Sequence, residues 1–583
     1  MANIAQLLTE HMAIWTAAES EKKSGRGRAS TNAGSVYGVK KLRELILELA
    51  VRGKLVPQDA NDEPARELLK RIQVEKAKLI AEGKLKKEKP LEPISEDEKF
   101  LELPSGWEWI RVGSLGNWGA GATPLRSVSR YYGGTMPWFK SGELIADFID
   151  TAEETVTDLA LKDCSLRLNQ PGDVLLAMYG ATIGKASILK IAGTTNQAVC
   201  ACTPNASIFN RYLLLMLKAM KSNFVGQGAG GAQPNISREK IIATLTALPP
   251  LTEQHRIVAK VDELMALCDQ LEQQHSNAQQ AHETLVSQLL ATLTQSQNAV
   301  EFNANWQRIY AHFDVLFTTE ASIDALKQTL LQLAVMGKLV PQDPNDEPAS
   351  ELLKRIQAEK AKLIAEGKLK KEKPLAPIGE DEKPFELPEG WEWAKVLDCS
   401  IFVTDGEHLT PQRTTNGLVP LVTAKNVRNG YMDYENTDFV DVSVAEKCWK
   451  RCKPEQGDLL MVSVGATLGR LTMLHEAKDM VIVRSVTLIR LCLLNSLYLS
   501  AAIKSPLIQQ AIWGSVRQMA QPGLYLAQSS NLVFPLPPLA EQHRIVAKVD
   551  ALMALCDQLK THIQQANQQQ QKVADVLIVQ GLA

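Results

Sequence analysis

Polar side chains that could pair with the edges of nucleic-acid bases occur in loop-like segments of two regions of this chain. Glutamine, asparagine and arginine can pair bidentately with adenine or guanine, and lysine can contact phosphate. The candidates in the first region are Lys140, Ser141, Tyr179, Thr182, Lys185, Asn196, Gln197, Gln233 and Asn235. The candidates in the second region are Thr423, Lys425, Asn426, Thr467, Arg470, Arg484, Arg517, Gln518 and Gln528. Since such residues are also common on any protein surface, each assignment is a hypothesis.

Patterns that could support catalysis or metal binding are weaker. The pair Cys200-x-Cys202 has the residue types of a zinc ligand set, but Ser485 and Thr487 occupy the matching positions of the second half. GATIGKAS lacks the leading glycine of a phosphate-binding loop. Histidine recurs in the sequence EQHR near the start of two predicted helices, where a capping or partner contact is favoured over catalysis. The sequence therefore predicts no catalytic, metal-binding or cofactor-binding residue on this chain.

Composition indicates an ordinary globular protein with several domains. The 583 residues carry a net charge of −2, which argues against a protein that grips a polyanion over its whole surface but leaves local basic faces possible. Nine cysteines in so long a chain are typical of reduced thiols, so we expect a cytoplasmic location. No segment is long and apolar enough to predict a membrane span or a signal peptide.

Two nearly identical segments predict matched long helices. EQHRIVAKVDELMALCDQL at 253–271 returns with one change at 541–559. Apolar or small residues at Ile257, Val261, Leu264, Cys268 and Leu271 alternate in spacings of four and three, which indicates a coiled-coil seam. We expect the same heptad phase to continue in both copies. The predicted positions are His275, Ala278, His282, Leu285 and Leu289 in the first helix, and Ile563, Ala566, Gln570, Val573 and Leu577 in the second.

A second repeated block precedes each variable region. KLVPQD at 54–59 matches 338–343, and EKAKLIAEGKLKKEKPL at 75–91 matches 359–375, so the chain is duplicated. The block reads as two helices that end at Gly53 and Gly83. Its lysine run could be a nucleic-acid patch, but a solvated helix end with lysines near the C-terminal dipole is the preferred interpretation.

The regions between the repeats differ in sequence but share a skeleton. PGDVLLAMYGATIGKASIL at 171–189 aligns with QGDLLMVSVGATLGRLTML at 456–474, which predicts a strand, a glycine turn and a strand. The glycine turn could lie against a phosphate backbone or could simply close a structural hairpin.

The expected division of the chain has seven parts. These are an N-terminal helix and linker (1–41), a first helical block (42–103), a first variable domain (104–250), a long helix and connector (251–325), a second helical block (326–387), a second variable domain (388–538) and a C-terminal long helix (539–583).

In combination these motifs resemble the specificity subunit of type I restriction-modification systems. The resemblance is carried by AVRGKLVPQDANDEPA and AVMGKLVPQDPNDEPA, GWEW at the start of each variable domain, GDVLLAMYGATIGK within the first, and LPPLTEQHRIVAKVD after it. It covers nearly the whole chain. The fold implied is α+β, with two mixed α/β target-recognition domains separated by two long antiparallel coiled-coil helices in an internal pseudo-twofold repeat.

The resemblance also implies a function in a larger complex. Each recognition domain would read one half of an asymmetric bipartite site in double-stranded DNA. The helices would fix the gap and bind two methyltransferase subunits, and two restriction-translocase subunits would complete the restriction enzyme. This chain would be non-catalytic, with S-adenosylmethionine, ATP and Mg²⁺ on its partners. The alternative is a coiled-coil scaffold that binds two proteins, which gives no reason for the variable domains to diverge while the helices stay nearly identical.

Overall fold

The chain folds into two compact units that each combine segments from distant parts of the sequence. A computed structural model describes residues 11–17, 36–83, 90–228, 234–371, 373–409, 411–414, 417–516 and 523–582. The first unit contains residues 1–278 and 566–583, and the second contains 279–565. Each unit therefore holds the beginning of one long helix and the end of the other. Gln233, Arg517 and Gln518 lie outside the described residues.

The first half of the chain passes from helices into a mixed domain and then into a long helix. Its helices are α1 (Met12–Ala17), α2 (Tyr37–Val51), α3 (Ala65–Ala81), α4 (Asp158–Asp163), α5 (Asn210–Ala219), α6 (Lys221–Gln227), α7 (Arg238–Ala243) and α8 (Leu251–Gln295). Its strands are β1 (Glu108–Arg111), β2 (Gly116–Ala120), β3 (Tyr132–Phe139), β4 (Phe148–Ile149), β5 (Glu154–Val156), β6 (Val174–Ala177), β7 (Ala186–Leu189), β8 (Thr194–Thr195), β9 (Val199–Pro204) and β10 (Leu245–Leu248).

The second half repeats this order after a helical connector. Its helices are α9 (Ala299–Ala311), α10 (Phe313–Leu316), α11 (Glu320–Val335), α12 (Ala349–Ala365), α13 (Val442–Trp449), α14 (Ser496–Lys504), α15 (Pro506–Gly514), α16 (Leu526–Ser530) and α17 (Leu539–Leu582). Its strands are β11 (Glu392–Lys395), β12 (Ser400–Asp405), β13 (Val419–Val422), β14 (Asp438–Val440), β15 (Leu459–Val462), β16 (Leu471–Met473), β17 (Val481–Ile482), β18 (Val486–Leu491) and β19 (Val533–Leu536).

The two variable domains share one sheet topology. The first has a sheet of order β2-β9-β6-β7-β4 and a second of order β5-β3-β8. The other has β12-β18-β15-β16 and β14-β13-β17, which is the same arrangement without the short strand β4. The central strands β6 and β15 are continuous apolar runs that are buried on both faces. The internal repeat predicted from sequence is confirmed in the fold.

The two ends of each variable domain lie side by side where they join the helices, and we call this junction the root of the domain. The first strand of the domain pairs antiparallel with the last, as β1 with β10 and as β11 with β19. Two prolines follow the last strand, and the long helix starts directly after them. Proline can precede a helix without loss of a needed hydrogen bond. The root therefore couples the orientation of the domain to the first turn of its helix.

The frame of the first unit packs α2 against the beginning of α8. Arg43 donates to Asp269 at 2.7 Å, and Gln58 donates to Glu253 at 3.3 Å. Residue numbers rise along α2 as they fall along α8, so these two helices are antiparallel. Buried Leu42 and Leu45 of α2 belong to the same apolar cluster as Leu264 of α8.

The same unit packs α2 against the end of α17 in the opposite sense. Tyr37 donates to Asp575 at 2.8 Å, and Lys54 donates to the carbonyl oxygen of Leu582 at 2.7 Å. α2 is thus parallel to this part of α17 and antiparallel to α8, which makes the two long-helix segments antiparallel to each other. In the second unit Lys327 pairs with Asp557, and Lys338 donates to the carbonyl oxygen of Thr294, at equivalent positions.

The predicted coiled-coil seam is confirmed in its first half and only in part in its second, where the predicted position Leu577 is buried but Leu285 and Val573 are not. Ile257, Val261, Leu264 and Cys268 are buried, but Leu285 is 48% exposed and the next buried positions are Val286, Leu290 and Leu293. In α17, Cys556 is followed by buried Ala574 and Leu577, and Val573 is exposed. Val286 follows Cys268 by 18 residues, and Ala574 follows Cys556 by the same number. Eighteen residues make five turns of a straight α-helix, whereas the heptad pattern places the seam one residue earlier, at Leu285 and Val573. In α8 the buried positions after Cys268 follow the helical period of 3.6 and not the heptad period of 3.5.

The ends of the repeated helices follow the sequence signals. Gly53 and Gly83 adopt φ values of +69° and +70°, the left-handed conformation that ends a helix. At Gly53 an added Cβ would lie 2.4 Å from Cγ of Pro104, so glycine is required both by conformation and by space. Within the described residues, no helix has the length and apolar character needed to cross a membrane.

Candidate nucleic-acid interface

Four loop segments of the first variable domain meet at one end of strand β6. The backbone of Tyr179 bridges Asn235, and Met178 donates to the carbonyl oxygen of Ala198 at 2.8 Å. Asn196 in turn donates to the carbonyl oxygen of Phe139 at 3.0 Å, next to Lys140. The segments around residues 140, 180, 196 and 235, predicted separately from sequence, are therefore joined by backbone hydrogen bonds into one surface.

The second variable domain forms the equivalent surface. Val464 bridges Gly523, and Ser463 donates its N–H to the carbonyl oxygen of Ser485 at 2.9 Å. Val483 donates to the carbonyl oxygen of Val422 at 3.2 Å. The segments around residues 423, 465, 484 and 524 thus converge as their counterparts do, while the side chains they carry differ between the two halves.

The glycine turns of both surfaces have the conformation that the sequence predicts. Gly180 and Gly184 adopt φ values of +58° and +80°, and Gly465 and Gly469 adopt +97° and +80°. A Cβ at Gly180 or Gly465 would meet no atom within 4 Å, so these two glycines leave the backbone open to close approach.

Several predicted residues of the first surface have side chains that are available to a ligand. Gln197 and Asn235 are exposed, Tyr179 is 38% exposed, and Lys185 is half-buried, with no ion pair between its side chain and another described residue. The remaining predicted residues of this surface are engaged or half-buried: Ser141 opens a short 3-10 turn, Thr182 donates to the carbonyl oxygen of Tyr179, and Asn196 accepts from the backbone of Ala198.

Lys140 is held by acidic residues of its own domain. Its ammonium lies 2.7 Å from Glu153 and 3.2 Å from Glu154, and the hydrogen bond to Glu153 raises the pKa of Lys140. Arg126 also pairs with Glu154 and lies over the ring of Tyr132. The positive charge of Lys140 is therefore largely neutralised before any ligand arrives.

The second surface offers two unpaired arginines. Arg484 is exposed and Arg470 is half-buried, and neither side chain has an ion pair with another described residue. Lys425 is exposed and lies 3.3 Å from Asp438, and Thr467 is half-buried in the glycine turn. These arginines are the residues of this surface best suited to guanine or phosphate.

The packing corrects the prediction for Asn426 and engages part of the side chain of Gln528. Asn426 is 1% exposed; its Oδ1 accepts from the backbone and hydroxyl of Thr423, and its Nδ2 donates to Asp433 and Thr437. Its amide is saturated inside the domain and has no group left for a base. Gln528 accepts from the backbone N–H of Tyr525 at 2.8 Å, which closes the first turn of α16. The side chain of Asn426 is therefore structural, whereas Gln528 is half-buried and its Oε1 is engaged within its own domain.

Sequence reasoning missed two exposed residues that the fold places beside this surface. Glu407 donates its backbone N–H to Ile482 and accepts from Arg484, which brings His408 to the interface. His408 is exposed and contacts Asp405 at 2.9 Å. Tyr525, 66% exposed, follows Leu524, whose N–H donates to the carbonyl oxygen of Ser463. The aromatic residue Tyr525, three positions before the candidate Gln528, was a signal available in the sequence.

A buried hydrogen bond at each root ties the domain to its long helix. The indole N–H of Trp107 donates to Glu253 at 2.9 Å, and that of Trp391 donates to Glu541 at 2.9 Å. Both carboxylates are 1% exposed. Burial raises the pKa of each, and the hydrogen bonds from tryptophan oppose the rise. These tryptophans are the first in each GWEW motif, so the repeated motif has a structural explanation.

A second pair of contacts strengthens each root. Gln254 accepts from the backbone N–H of Phe209 at 3.0 Å, and Gln542 accepts from that of Asn495 at 3.1 Å. The recurrent histidine of EQHR lies alongside, since His255 stacks on Phe209 with ring centroids 4.0 Å apart. The polar residues of EQHR therefore attach domains of different sequence to one type of helix start.

Known proteins are similar to this chain over nearly its whole length. A family model described as the type I restriction modification DNA specificity domain matches residues 104–279 and 391–568. The EcoAI specificity subunit of Escherichia coli is 41% identical over 600 residues, covering 99% of both chains. The EcoEI specificity subunit of the same organism is 39% identical over 606 residues, covering 98% of this chain and 99% of the relative. A crystal structure of the HsdS subunit from Thermoanaerobacter tengcongensis covers 83% of this chain and 98% of its own at 16% identity, with a TM-score of 0.37.

Proposed function

The chain belongs to the family of type I restriction-modification specificity subunits, and from this premise we propose that its two recognition domains read the two halves of an asymmetric bipartite DNA site. The observation that carries the proposal is the contrast between frame and loops. The same strand order and the same tryptophan–glutamate root hold each domain, while the loops gathered at the end of β6 and of β15 differ in side chains. Two surfaces of equal position and unequal chemistry suit two different base sequences.

The long helices would set the unread gap between the half-sites. α8 has 45 residues and α17 has 44, and each starts at the root of one recognition domain. A helix of this length extends about 65 Å at 1.5 Å per residue. Because the root fixes the domain to the helix, a helix of constant length gives a gap of constant length.

Two methyltransferase subunits would dock on equivalent strips of the long helices. Residues 253–271 and 541–559 are identical at 18 of 19 positions, and the shared residues include exposed ones such as Leu267 and Leu555. The remaining parts, 272–295 and 560–583, agree at only 3 of 24 positions. Exposed leucines retained in both copies support contact with the same partner twice.

Chemistry would then belong to the partners. The chain would direct adenine methylation, with S-adenosylmethionine on the methyltransferase subunits and ATP and Mg²⁺ on two restriction-translocase subunits in the cytoplasm. The nine cysteines are all free, eight of them buried. Within the described residues no group of three or more histidine, cysteine or acidic side chains is placed to hold a metal ion.

The test is a map of methylated adenines in cells that express this chain with the methyltransferase subunit of its system. We expect one gapped, asymmetric motif. Gln197→Ala should relax one half of the motif, and Arg484→Ala should relax the other. Lys190→Ala is the matched control, because Lys190 lies beyond β7 at the opposite end from the loops. A complex that assembles but methylates no gapped motif would leave the coiled-coil scaffold as the function.

Docking is tested by native mass spectrometry of the same complex. Leu267→Lys and Leu555→Lys each place a charge on one of the two equivalent strips. We expect each variant to lose one methyltransferase subunit and the double variant to lose both. Retention of both subunits by the double variant would move the docking surface elsewhere.

A further inference from the structure

The segment that follows strand β12 lies beside the recognition loops of the second domain. β12 ends at Asp405, which pairs with Thr487, and β15 ends at Val462, which pairs with the adjacent Val486. The two strands therefore end at the same edge of the sheet, and the glycine turn follows β15 at that edge. Residues 406–409, which follow β12, reach the same edge.

A glycine in each domain lets this segment cross the neighbouring loop. A Cβ at Gly406 would lie 2.1 Å from the carbonyl oxygen of Ile482, and a Cβ at Gly121 would lie 2.3 Å from that of Thr195. The two glycines occupy equivalent places, because they follow β12 and β2, the equivalent edge strands of their sheets. Glycine allows this close approach because it has no side chain. The crossing is therefore part of the frame that both domains share.

The side chains around the crossing differ between the domains. His408 and Thr123 each stand two positions after the glycine, and both are exposed. The residue directly before the glycine is Asp405 in the second domain and Ala120 in the first. An equal backbone position with unlike exposed side chains is the pattern of the recognition loops themselves.

His408 forms a cluster with Asp405 and Arg451. Nε2 of His408 lies 2.9 Å from Oδ2 of Asp405, and Nη2 of Arg451 donates to Oδ1 of the same carboxylate at 2.6 Å. Nε of Arg451 also donates to the carbonyl oxygen of Asp405 at 3.2 Å. Because the arginine makes two hydrogen bonds to Asp405, the carboxylate stays in place without the histidine.

The carboxylate determines which nitrogen of His408 carries a hydrogen. A carboxylate only accepts, so its short contact with Nε2 requires a hydrogen on that nitrogen. Arg451 only donates, so its Nη2, 3.1 Å from the same Nε2, finds no lone pair there. In the neutral imidazole this arrangement leaves Nδ1 as an acceptor. Nδ1 has no hydrogen bond to another described residue, and the side chain is 60% exposed.

We propose that Nδ1 of His408 reads the amino group of one adenine or cytosine in the half-site of the second recognition domain, which rests on the function proposed above. In the major groove the base donors are N6 of adenine and N4 of cytosine, and each pairs with an acceptor.

The neighbouring arginine supplies the opposite chemistry. The backbone N–H of Arg484 donates to the carbonyl oxygen of Glu407 at 3.0 Å, so Arg484 and His408 lie at the same place on the surface. A guanidinium only donates and suits guanine, whereas Nδ1 of His408 accepts. The contact with Asp405 orients the imidazole before DNA arrives, which lowers the cost of ordering it on binding.

The first part of the experiment maps methylated adenines in cells that express the methyltransferase complex with H408A. We expect one position of one half-site to become degenerate, while the gap and the other half-site stay unchanged. D405N removes the requirement for a hydrogen on Nε2, so it should relax the same position.

The matched control is H475A. His475 is an exposed histidine of the same domain that follows β16. Near the end of β16, Met473 pairs with Leu459 at the start of β15, so His475 lies at the edge of the sheet opposite the recognition loops. We expect H475A to keep the unaltered motif.

The second part measures binding of the purified complex to its own duplex at about pH 8, above the range in which histidines usually titrate. At the relaxed position, purine replaces adenine or 2-pyrimidinone replaces cytosine, and either change deletes only the amino group. We expect the unaltered complex to bind this duplex about 3- to 10-fold more weakly, the effect of one hydrogen bond, and H408A to show no further loss. The 7-deaza analogue of the purine in the same base pair, which lacks the N7 acceptor, should affect both complexes equally.

The outcomes separate this inference from the function on which it rests. If the unaltered complex methylates no gapped motif, the proposed function itself fails. If it methylates one and H408A keeps the motif of H475A, or loses methylation uniformly, His408 reads no base. A loss that depends on His408 and follows N7 instead of the amino group would mean that the imidazole donates, which overturns the acceptor role. Relaxation by H408A without relaxation by D405N would overturn the orienting role of Asp405.

Discussion

Removal of the Glu253 carboxylate should loosen the root of the first recognition domain without unfolding the chain. In Glu253→Ala the indole N–H of Trp107 loses its acceptor at 2.9 Å. Trp107 is 5% exposed, so water does not readily replace the lost carboxylate. The amide of Gln58, 3.3 Å from the same carboxylate, also loses a partner but keeps its bond to the carbonyl oxygen of Gly53.

The magnitude follows from the orphaned donor. A buried polar group left without its partner costs about 1–3 kcal/mol. Part of this cost is offset because burial disfavours the charged carboxylate, as its raised pKa indicates. We therefore expect local opening of the root to become easier by about 1–2 kcal/mol, or roughly 5- to 30-fold in the opening equilibrium.

Hydrogen–deuterium exchange of the full chain measures this opening directly. Peptides that cover residues 107–112 and 245–258 report on β1, β10 and the start of α8. The equivalent peptides around Trp391 and Glu541 are an internal control, because the second root keeps its own hydrogen bond. Trp107→Phe removes the donor instead of the acceptor, and in the double variant the two effects should not add, since they delete the same bond.

The reasoning is refuted if exchange at the first root is unchanged, or if both roots accelerate equally. The first result would mean that strand pairing alone holds the domain. The second would mean that the effect is global and not local to this contact.

Three further results are expected. Burial raises the pKa of Glu541, so the folded chain binds a proton at this carboxylate more tightly than the unfolded chain does. The protonated carboxyl therefore contributes to stability below its unfolded pKa of about 4.3. This contribution is lost as the pH rises through the pKa of the folded state. The melting temperature of Glu541→Gln relative to the unaltered chain should therefore increase between pH 4.5 and 7, and a constant difference would contradict the burial argument. Arg490→Met should lower the free energy of unfolding of the second unit by about 3 kcal/mol, measured in urea. The reason is that Asp458, whose side chain is 3% exposed, loses two hydrogen bonds of 2.8 Å from Arg490. A decrease below about 1 kcal/mol would show that the pair behaves as a surface salt bridge. One heptad inserted after Ala278, with another at the equivalent position of α17, should lengthen each helix by about 10 Å and the methylated gap by about three base pairs; an unchanged gap would remove the spacer role.

The sequence by itself determined the duplication, the helix ends and the residues that start each root. These features depend on local signals: a repeated motif, a glycine at a left-handed position, an apolar period along one helix. The positive φ values at Gly53 and Gly83 follow because few other residues adopt that conformation at a helix end. The family resemblance rested on the same local motifs, which is why it could be drawn before any fold was known.

The second half of the seam shows where local periodicity was insufficient. The heptad period and the period of a straight α-helix place the seam at the same residues over the three turns from Ile257 to Cys268. After five more turns the two periods place it one residue apart. Only the packing of this part of α8 within the second unit buries Val286 and leaves Leu285 exposed. The sequence contained both leucine and valine at these positions and gave no reason to prefer one.

Tertiary structure alone decided which polar residues face solvent. Asn426 and Arg484 were equal candidates in the sequence, yet one is saturated by four hydrogen bonds within its domain and the other is exposed. The bond from Trp107 to Glu253 joins residues 146 positions apart. A hydrogen bond depends on where the chain returns in space, and the period of a single element does not contain that information.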